Sequence, residues 1–430
     1  MNEKTVEGIS GELDLFSLPV SQKSVLAGDW IQYKPTQQIN ADSPLLFEIS
    51  GAGERYIDTS KTLLKVKLKV LKEDNTPVLD TEAFAVTNNL LSSLFNECTV
   101  EYNNQLVSQS HQLYHIKAYW ENLFNFSDSA KSTHLTAAGF YQDEAGKFES
   151  ETSSANVKRA SFLRGGKSYE IMGRLHADVL TASQYLLNEV DVRICLRRNS
   201  DALICLAGDK MNCRVILEDA TLFVRKINLS PAVLVAHAKI LQTKTALYHY
   251  RRTEMLHFTL GAGTFQKSFE NILCGKTPIR LVMGMIENSA FNGNYKQSVL
   301  NFKHFNLNYL NLAVNGQTVG TKPLNPNYKN GQYMEAYLMS FFGISIPLTD
   351  DGHCISYEDF PNGFCIYSWD LTPDLSASDS HWSMPQNGGI RLECGFSEAL
   401  ASTVSMIILA EYRETLELDR SRQVSLTYKG

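Results

Sequence analysis

Few residues in this chain carry types and spacings that could do chemistry, and each has a simpler explanation close at hand. Ser161–Ser168 reads SFLRGGKS, close to the phosphate-cradling G-x-x-x-x-G-K-[ST]. Ser161 stands where the first glycine belongs, and the strand-like YEIMGRL follows, whereas a phosphate loop runs from a strand into a helix. A glycine-rich turn entering a strand is expected. His111 and His115 stand four apart on a helical pattern, a spacing that would turn two imidazoles toward one metal ion. The glutamate of H-E-x-x-H and a third ligand are both missing, so two polar residues on the wet face of a helix are expected instead. His237, in PAVLVAHAKIL, is expected to pack or hydrogen-bond locally.

Asp350-Asp351 and Glu358-Asp359 fall in TDDGHCISYEDFPNG. Their pairing resembles the carboxylates of a hydrolase or a calcium loop, but Gly and Pro punctuate the stretch, and a solvated loop accounts for it. Gly-x-Ser-x-Gly is absent, and no cysteine has the basic, glycine-flanked setting that would lower its pKa. The sequence therefore assigns no catalytic, cofactor-binding or metal-ligating residue, and the chain reads as a non-enzyme without a cofactor. Three basic pairs, Lys158-Arg159, Arg197-Arg198 and Arg251-Arg252, would make sequence-independent phosphate contacts if the protein encloses DNA. Solvated strand ends and inter-subunit ion pairs explain them equally well.

The elements that position these residues follow from composition and pattern. At 430 residues the chain exceeds the usual span of one core, so two domains are the default. With 43% apolar and 20% charged residues it can bury a real core. A net charge of −6 provides no bulk attraction for nucleic acid. The start MNEKTVEGISGELDLF lacks the apolar region of a signal peptide, and apolar runs such as Met406–Ala410 fall short of a membrane span. The eight cysteines form no C-x-x-C pair, and most lie in apolar strand-like runs. Buried small hydrophobes in a reducing compartment are expected rather than disulfides or zinc.

Period-2 patterning dominates. TLLKVKLKV, residues 62–70, puts Leu64, Val66, Leu68 and Val70 on one face and three lysines on the other. Similar signals fall at 45–49, 98–102, 169–175, 190–196 and 214–227, then at 255–260, 279–286, 305–314, 364–371, 390–396 and 404–412. Three helices are expected: 110–126, 332–342 and one starting at Ser230-Pro231, with Ser as N-cap.

The two halves also repeat one another. VEYNNQLV at Val100 is matched by LAVNGQTV at Leu312, Gly51-Ala52-Gly53 by Gly261-Ala262-Gly263, and KAYWENLFNF at Lys117 by EAYLMSFFGI at Glu335. Arg174-Leu175 with Asp178-Val179 is echoed by Asp370-Leu371 with Asp374-Leu375. Asn-Asn and Asn-Gly both tolerate positive φ and close two-residue hairpins of the primed type. Four matches in one order point to a duplicated β-rich domain. A unit of about eight strands suggests a jelly roll, which hides most strand edges in two packed sheets. The expected fold is all-β: two tandem eight-stranded jelly rolls (a double jelly roll) with a few short inserted helices. The expected boundaries are an N-terminal arm 1–42, a first jelly roll 43–229, a helical linker 230–245, a second jelly roll 246–412 and a C-terminal tail 413–430. The arm and tail are polar with isolated anchors, Leu15, Phe16 and Trp30 in the first and Tyr428 in the second.

GELDLFSLPVSQKSV (Gly11–Val25), GDWIQYKP (Gly28–Pro35) and SPLLFEISGAGERYIDTSKTLLKVKLKV (Ser43–Val70), with NECTVEYNNQLV and AYWENLF further on, resemble the major capsid protein of Polinton/Maverick elements and related adintoviruses. The resemblance implies a viral major capsid protein with a double jelly roll. It further implies a homotrimer forming a pseudo-hexameric capsomer that tiles an icosahedral shell around double-stranded DNA. Expected partners are other copies of the chain, penton or minor capsid proteins and encapsidated DNA through non-specific contacts. The expected location is the virion capsid, made inside the host cell without a secretory signal. The alternative is a tandem β-sandwich that binds a ligand or glycan, a function jelly rolls also host. It would require a concave site with convergent polar groups.

Overall fold

The structure, a computed structural model, describes residues 11–426 except 14, 17, 20, 41–42, 111, 209–210 and 345–351. His111, Asp350, Asp351 and Tyr428 therefore lie outside the described residues.

The first lobe contains β1 (Val25–Tyr33), β2 (Leu45–Ile49), β3 (Tyr56–Lys72), β4 (Phe95–Tyr102), β5 (Gln105–Gln109), β6 (Tyr169–Arg174), β7 (Val192–Arg198) and β8 (Cys213–Leu229). Its two sheets have the orders β1-β8-β3-β6 and β2-β7-β4-β5. The second lobe contains β9 (Ala246–Leu260), β10 (Gln266–Lys276), β11 (Arg280–Glu287), β12 (Leu307–Val314), β13 (Gln317–Thr318), β14 (Ile366–Asp370), β15 (Asn387–Phe396) and β16 (Val404–Leu418). Its sheets run β9-β16-β11-β14 and β10-β15-β12-β13. Adding eight to each label of the first lobe reproduces the second, so the chain is an all-β double jelly roll. The four longest helices among the described residues are α1 (Tyr114–Asn125), α2 (Ser154–Ser161), α3 (Pro231–Ile240) and α4 (Met334–Phe342).

Local sequence explains the strands well. In β3, Leu64, Val66, Leu68 and Val70 are fully buried, and β3 pairs antiparallel with β8. The intervening Lys65, Lys67 and Lys69 stay on the wet face and meet Glu170 and Glu218. The two hairpin turns have the positive φ that primed turns require: 48° and 63° at Asn103 and Asn104, 52° and 79° at Asn315 and Gly316. α1 and α4 occupy the same place in their lobes, between the fifth and sixth strands.

Three expectations are corrected. The division at residue 42 cuts off β1, which lies in the expected arm yet pairs with β8 from Val25 to Tyr33. Most of β1 is exposed, so it has no buried face and shows no alternation. The division at 412 falls inside β16, which pairs with β9 as far as Leu418, and Val424–Leu426 folds back on β16. The paired Gly-Ala-Gly turns are not equivalent, because Gly51 follows β2 whereas Gly261 follows β9.

Each lobe has an apolar core, but the cores interlock. α1 belongs to the first lobe by sequence, yet Ile116, Tyr119, Trp120 and Leu123 join the second lobe's core. Trp120 packs against Phe302 at 5.3 Å. Tyr248, Tyr250, Leu416 and Leu418 of the second lobe join the core of the first.

Candidate functional site at the junction of the two jelly rolls

A buried polar network lies where the lobes meet. α1 is amphipathic toward two apolar surfaces, so the one cation in its middle, Lys117, is carried inside and is 1% exposed. A buried ammonium needs opposite charge. Lys117 donates to Asp178 and faces Glu121 at 3.7 Å, one helical turn away. Glu121 also bonds the His176 ring at 2.6 Å. Asp178 then crosses to the second lobe, accepting bonds from the Thr253 amide at 2.9 Å and hydroxyl at 2.8 Å.

Burial alone would lower the Lys117 ammonium, but Asp178 and Glu121 raise it above its ordinary value. Burial opposes ionisation of Glu121, yet Lys117 and His176 hold its carboxyl down at about 2. The network is an ionised clamp between jelly rolls, with Lys117 and Asp178 both drawn from the repeated phrases. Their counterparts in the second lobe do different work. Glu335 is exposed and paired with Lys322, and Asp374 is exposed and bonds His381 and Ser376.

Above this clamp a cleft of about 580 Å³ opens between the lobes. Its walls include Glu121 and Arg174 from the first lobe, and Arg251, Trp382, Glu411 and Arg413 from the second. Further contacts tie the lobes: Tyr295 donates to the Cys213 carbonyl at 3.1 Å, and Arg422 donates to the Asn188 carbonyl at 2.8 Å.

The residues singled out in the sequence are placed as follows. SFLRGGKS spans the end of α2 and a tight turn, with Gly165 and Gly166 at φ near 70°, and enters β6. His115 is not on a wet face: it is 3% exposed, and burial holds its imidazole down at about 4. Neither of its ring nitrogens has a hydrogen-bond partner among the described residues. The helix packs between two lobes, so it has almost no wet face, which helical periodicity alone does not reveal. His237 meets the Tyr56 hydroxyl at 3.0 Å. Glu358 is exposed, and Asp359 accepts from the Ser356 hydroxyl at 2.7 Å in a surface turn.

The basic pairs divide. Arg159 is buried and donates to the carbonyls of Val86 and Tyr141 and to Asp143, so it is structural and not a solvated strand end. Arg198 bonds Asp201 and the Val215 carbonyl, and Arg197 is exposed beside Glu97. Arg252 lies over the Tyr412 ring at 4.3 Å, whereas Arg251 faces the cleft. The cysteines are free thiols. Cys98, Cys205, Cys213, Cys365 and Cys394 are buried, but Cys274 and Cys354 are exposed. Burial pushes the Cys98 thiol up to about 12. Among the described residues there is no group of three or more His, Cys, Asp or Glu able to hold a metal ion, and no helix long and apolar enough to cross a membrane.

No family model matches the chain. An uncharacterized protein of Caenorhabditis elegans is 21% identical over 421 residues, covering 94% of this chain and 98% of that protein. Among solved structures, a chain of the Sputnik virophage determined by cryo-EM superposes with a TM-score of 0.66 at 13% identity, covering 99% of this chain and 94% of that one. The PBCV-1 virus capsid chain gives 0.60 at 12% identity, with 96% and 100% covered. The mavirus major capsid protein gives 0.56 at 10% identity, with 98% and 95% covered. At these identities the likeness is one of fold, and it extends over nearly the whole of each chain. The protein has the double jelly-roll architecture of viral major capsid proteins.

Proposed function

We propose that this chain is a viral major capsid protein of the Polinton/Maverick and adintovirus kind, and that three copies form a pseudo-hexameric capsomer. The observation that carries this reading is the repeated strand order of the two lobes, joined by an interlocked core and a buried ion clamp. A three-fold axis through three such chains sets six similar jelly rolls around it, and units of that outline tile the facets of an icosahedral shell. The role is structural and not enzymatic, and the proposed location is the virion capsid.

The exposed surface supports association. Leu13, Leu15, Phe16 and Leu18 near the N-terminus are 68–95% exposed. β1 is an edge strand, paired on one side with β8 and with no strand on its other side among the described residues, and Leu26 and Trp30 are exposed on it, a feature isolated proteins usually cover. Neighbouring copies, penton or minor capsid proteins and the enclosed double-stranded DNA are the proposed partners. Expression of the full chain with its penton partner tests the proposal. Closed icosahedral particles in electron micrographs support it, and a chain that stays monomeric under every assembly condition refutes it.

A further inference from the structure

The cleft between the lobes is lined by Arg174, Arg251 and Arg413 and by Glu121, Asp178, Asp379 and Glu411, and two of its guanidiniums have no carboxylate bonded to them among the described residues. Its buried carboxylates are committed: Glu121 to Lys117 and His176, Asp178 to Lys117 and Thr253, Glu411 to Arg280 at 2.9 Å. Arg413 is committed too, since its guanidinium donates to the carbonyls of Ser376, Ala377, His381 and Asp379. Arg174 and Arg251 are different. Arg174 lies over the Phe126 ring at 5.1 Å, and its Nε is buried with no acceptor among the described residues. Arg251 stands directly opposite Arg413 in the β9–β16 ladder. Directly opposed residues of an antiparallel pair point to the same face, about 5 Å apart at Cβ, and like charges there are destabilising. That face is the cleft wall, because His249, Arg251 and Thr253 alternate along β9 and all line it. Asp370, Asp374 and Asp379 offset the charge of Arg413, and of these Asp379, in an exposed loop, also lines the cleft.

We propose that this cleft binds a small polyvalent phosphate, anchored by Arg174 from the first jelly roll and Arg251 from the second. Guanidinium forks match phosphate oxygens in pairs, and a phosphate held by Arg251 offsets its like-charge contact with Arg413. The volume of about 580 Å³ admits a pyrophosphate or a nucleotide polyphosphate. Because its walls come from both lobes, occupancy ties them together and stabilises the chain. The site does not depend on shell assembly and can be measured on the purified full-length protein.

The test is titration with sodium pyrophosphate at low salt, against sodium chloride of equal ionic strength, read by thermal unfolding and tryptophan fluorescence. A saturable rise in melting temperature and a fluorescence change are expected. Trp382→Phe should remove the fluorescence change and keep the thermal shift, because Trp382 lines the cleft. Arg174→Gln and Arg251→Gln should each weaken binding about tenfold or more, by loss of a charge-assisted bond. Arg193→Gln, which removes an exposed guanidinium paired with Glu48 on another surface, should leave binding unchanged. Arg251→Gln should also keep or raise the melting temperature without ligand, so lost binding is not lost folding. Citrate distinguishes phosphate from carboxylate: weaker binding of citrate supports the assignment, and equal binding overturns it. A thermal shift no larger than that of sodium chloride, or one retained after both arginines are replaced, also overturns it.

Discussion

Asn103 and Asn315, separated by 315 − 103 = 212 residues, make the same pair of bonds to the strand beside their turns. The Asn103 amide donates to the Asp191 carbonyl at 2.9 Å, and its side-chain oxygen accepts from the Asp191 amide at 2.8 Å. The Asn315 amide donates to the Gly389 carbonyl at 3.0 Å, and its side-chain oxygen accepts from the Gly389 amide at 3.1 Å. Each asparagine thus closes a primed turn and pins it to the neighbouring strand, once per jelly roll. Replacing either by alanine removes the side-chain bond and leaves a Cβ residue at positive φ without side-chain compensation. Asn103→Ala and Asn315→Ala should each cost about 2 kcal/mol in chemical denaturation. Asn104→Gly, at φ 63°, should be neutral or stabilising by a few tenths.

The clamp at Asp178 predicts a larger effect. Asp178→Ala leaves Lys117 buried with only Glu121 in reach and removes both bonds to Thr253. A loss of about 3–5 kcal/mol is expected in equilibrium unfolding. The double replacement Lys117→Met, Asp178→Leu removes the stranded charge and should recover much of that loss. If the single and double variants are equally unstable, the buried charge is not the cause.

The packing of α1 on the second lobe makes one glycine necessary. A Cβ on Gly284 would lie 2.6 Å from Phe302 and 3.0 Å from Trp120, both large rings fixed in the shared core. Gly284→Ala should destabilise by about 1–3 kcal/mol. Gly261→Ala, where no atom lies within 4 Å of the added Cβ, should change thermal stability by less than about 0.5 kcal/mol.

Acid should weaken the junction in two windows. Burial holds His115 at about 4 and His353 at about 3, and it also lowers His176. The unfolded chain takes up these protons near pH 6.5, and the folded chain refuses them until much lower pH. Stability is therefore complete above about 6.5 and falls as pH drops through 6 to 4, His115 alone contributing a loss on the order of 3 kcal/mol. Glu121, held at about 2, adds a second loss below about 4.5, where the unfolded carboxyl protonates first. His115→Leu should make the first window shallower by its own share, with the His353 and His176 contributions remaining. It should not reduce stability at pH 7.5, because its ring nitrogens have no partners among the described residues. An unchanged slope between pH 6.5 and 4 in that variant contradicts this assignment.

How legible these features were in the sequence depended on burial. β3 and β8 were readable because one face is buried and the other charged, and the primed turns because Asn and Gly are the residues that accept positive φ. β1 and β10 are largely exposed along their lengths, so neither has the alternation by which a strand is recognised. The Gly-Ala-Gly echo misled because three residues of turn chemistry suit many unrelated loops. The clamp of Lys117, Glu121, His176, Asp178 and Thr253 was invisible as a unit. Its members are up to 136 residues apart (253 − 117), and only the passage of α1 between two cores brings them together. The Arg251–Arg413 opposition is a matter of strand register, which a basic dipeptide does not reveal.

The central claim, a two-lobed chain that imitates a hexagon by trimerising, is tested most directly by native mass spectrometry of the purified protein with negative-stain images of the same sample. The account predicts a homotrimer of three times the 48.2 kDa chain mass and particles of six-lobed outline. A monomer at micromolar concentration, or an oligomer whose copy number is not a multiple of three, would contradict it.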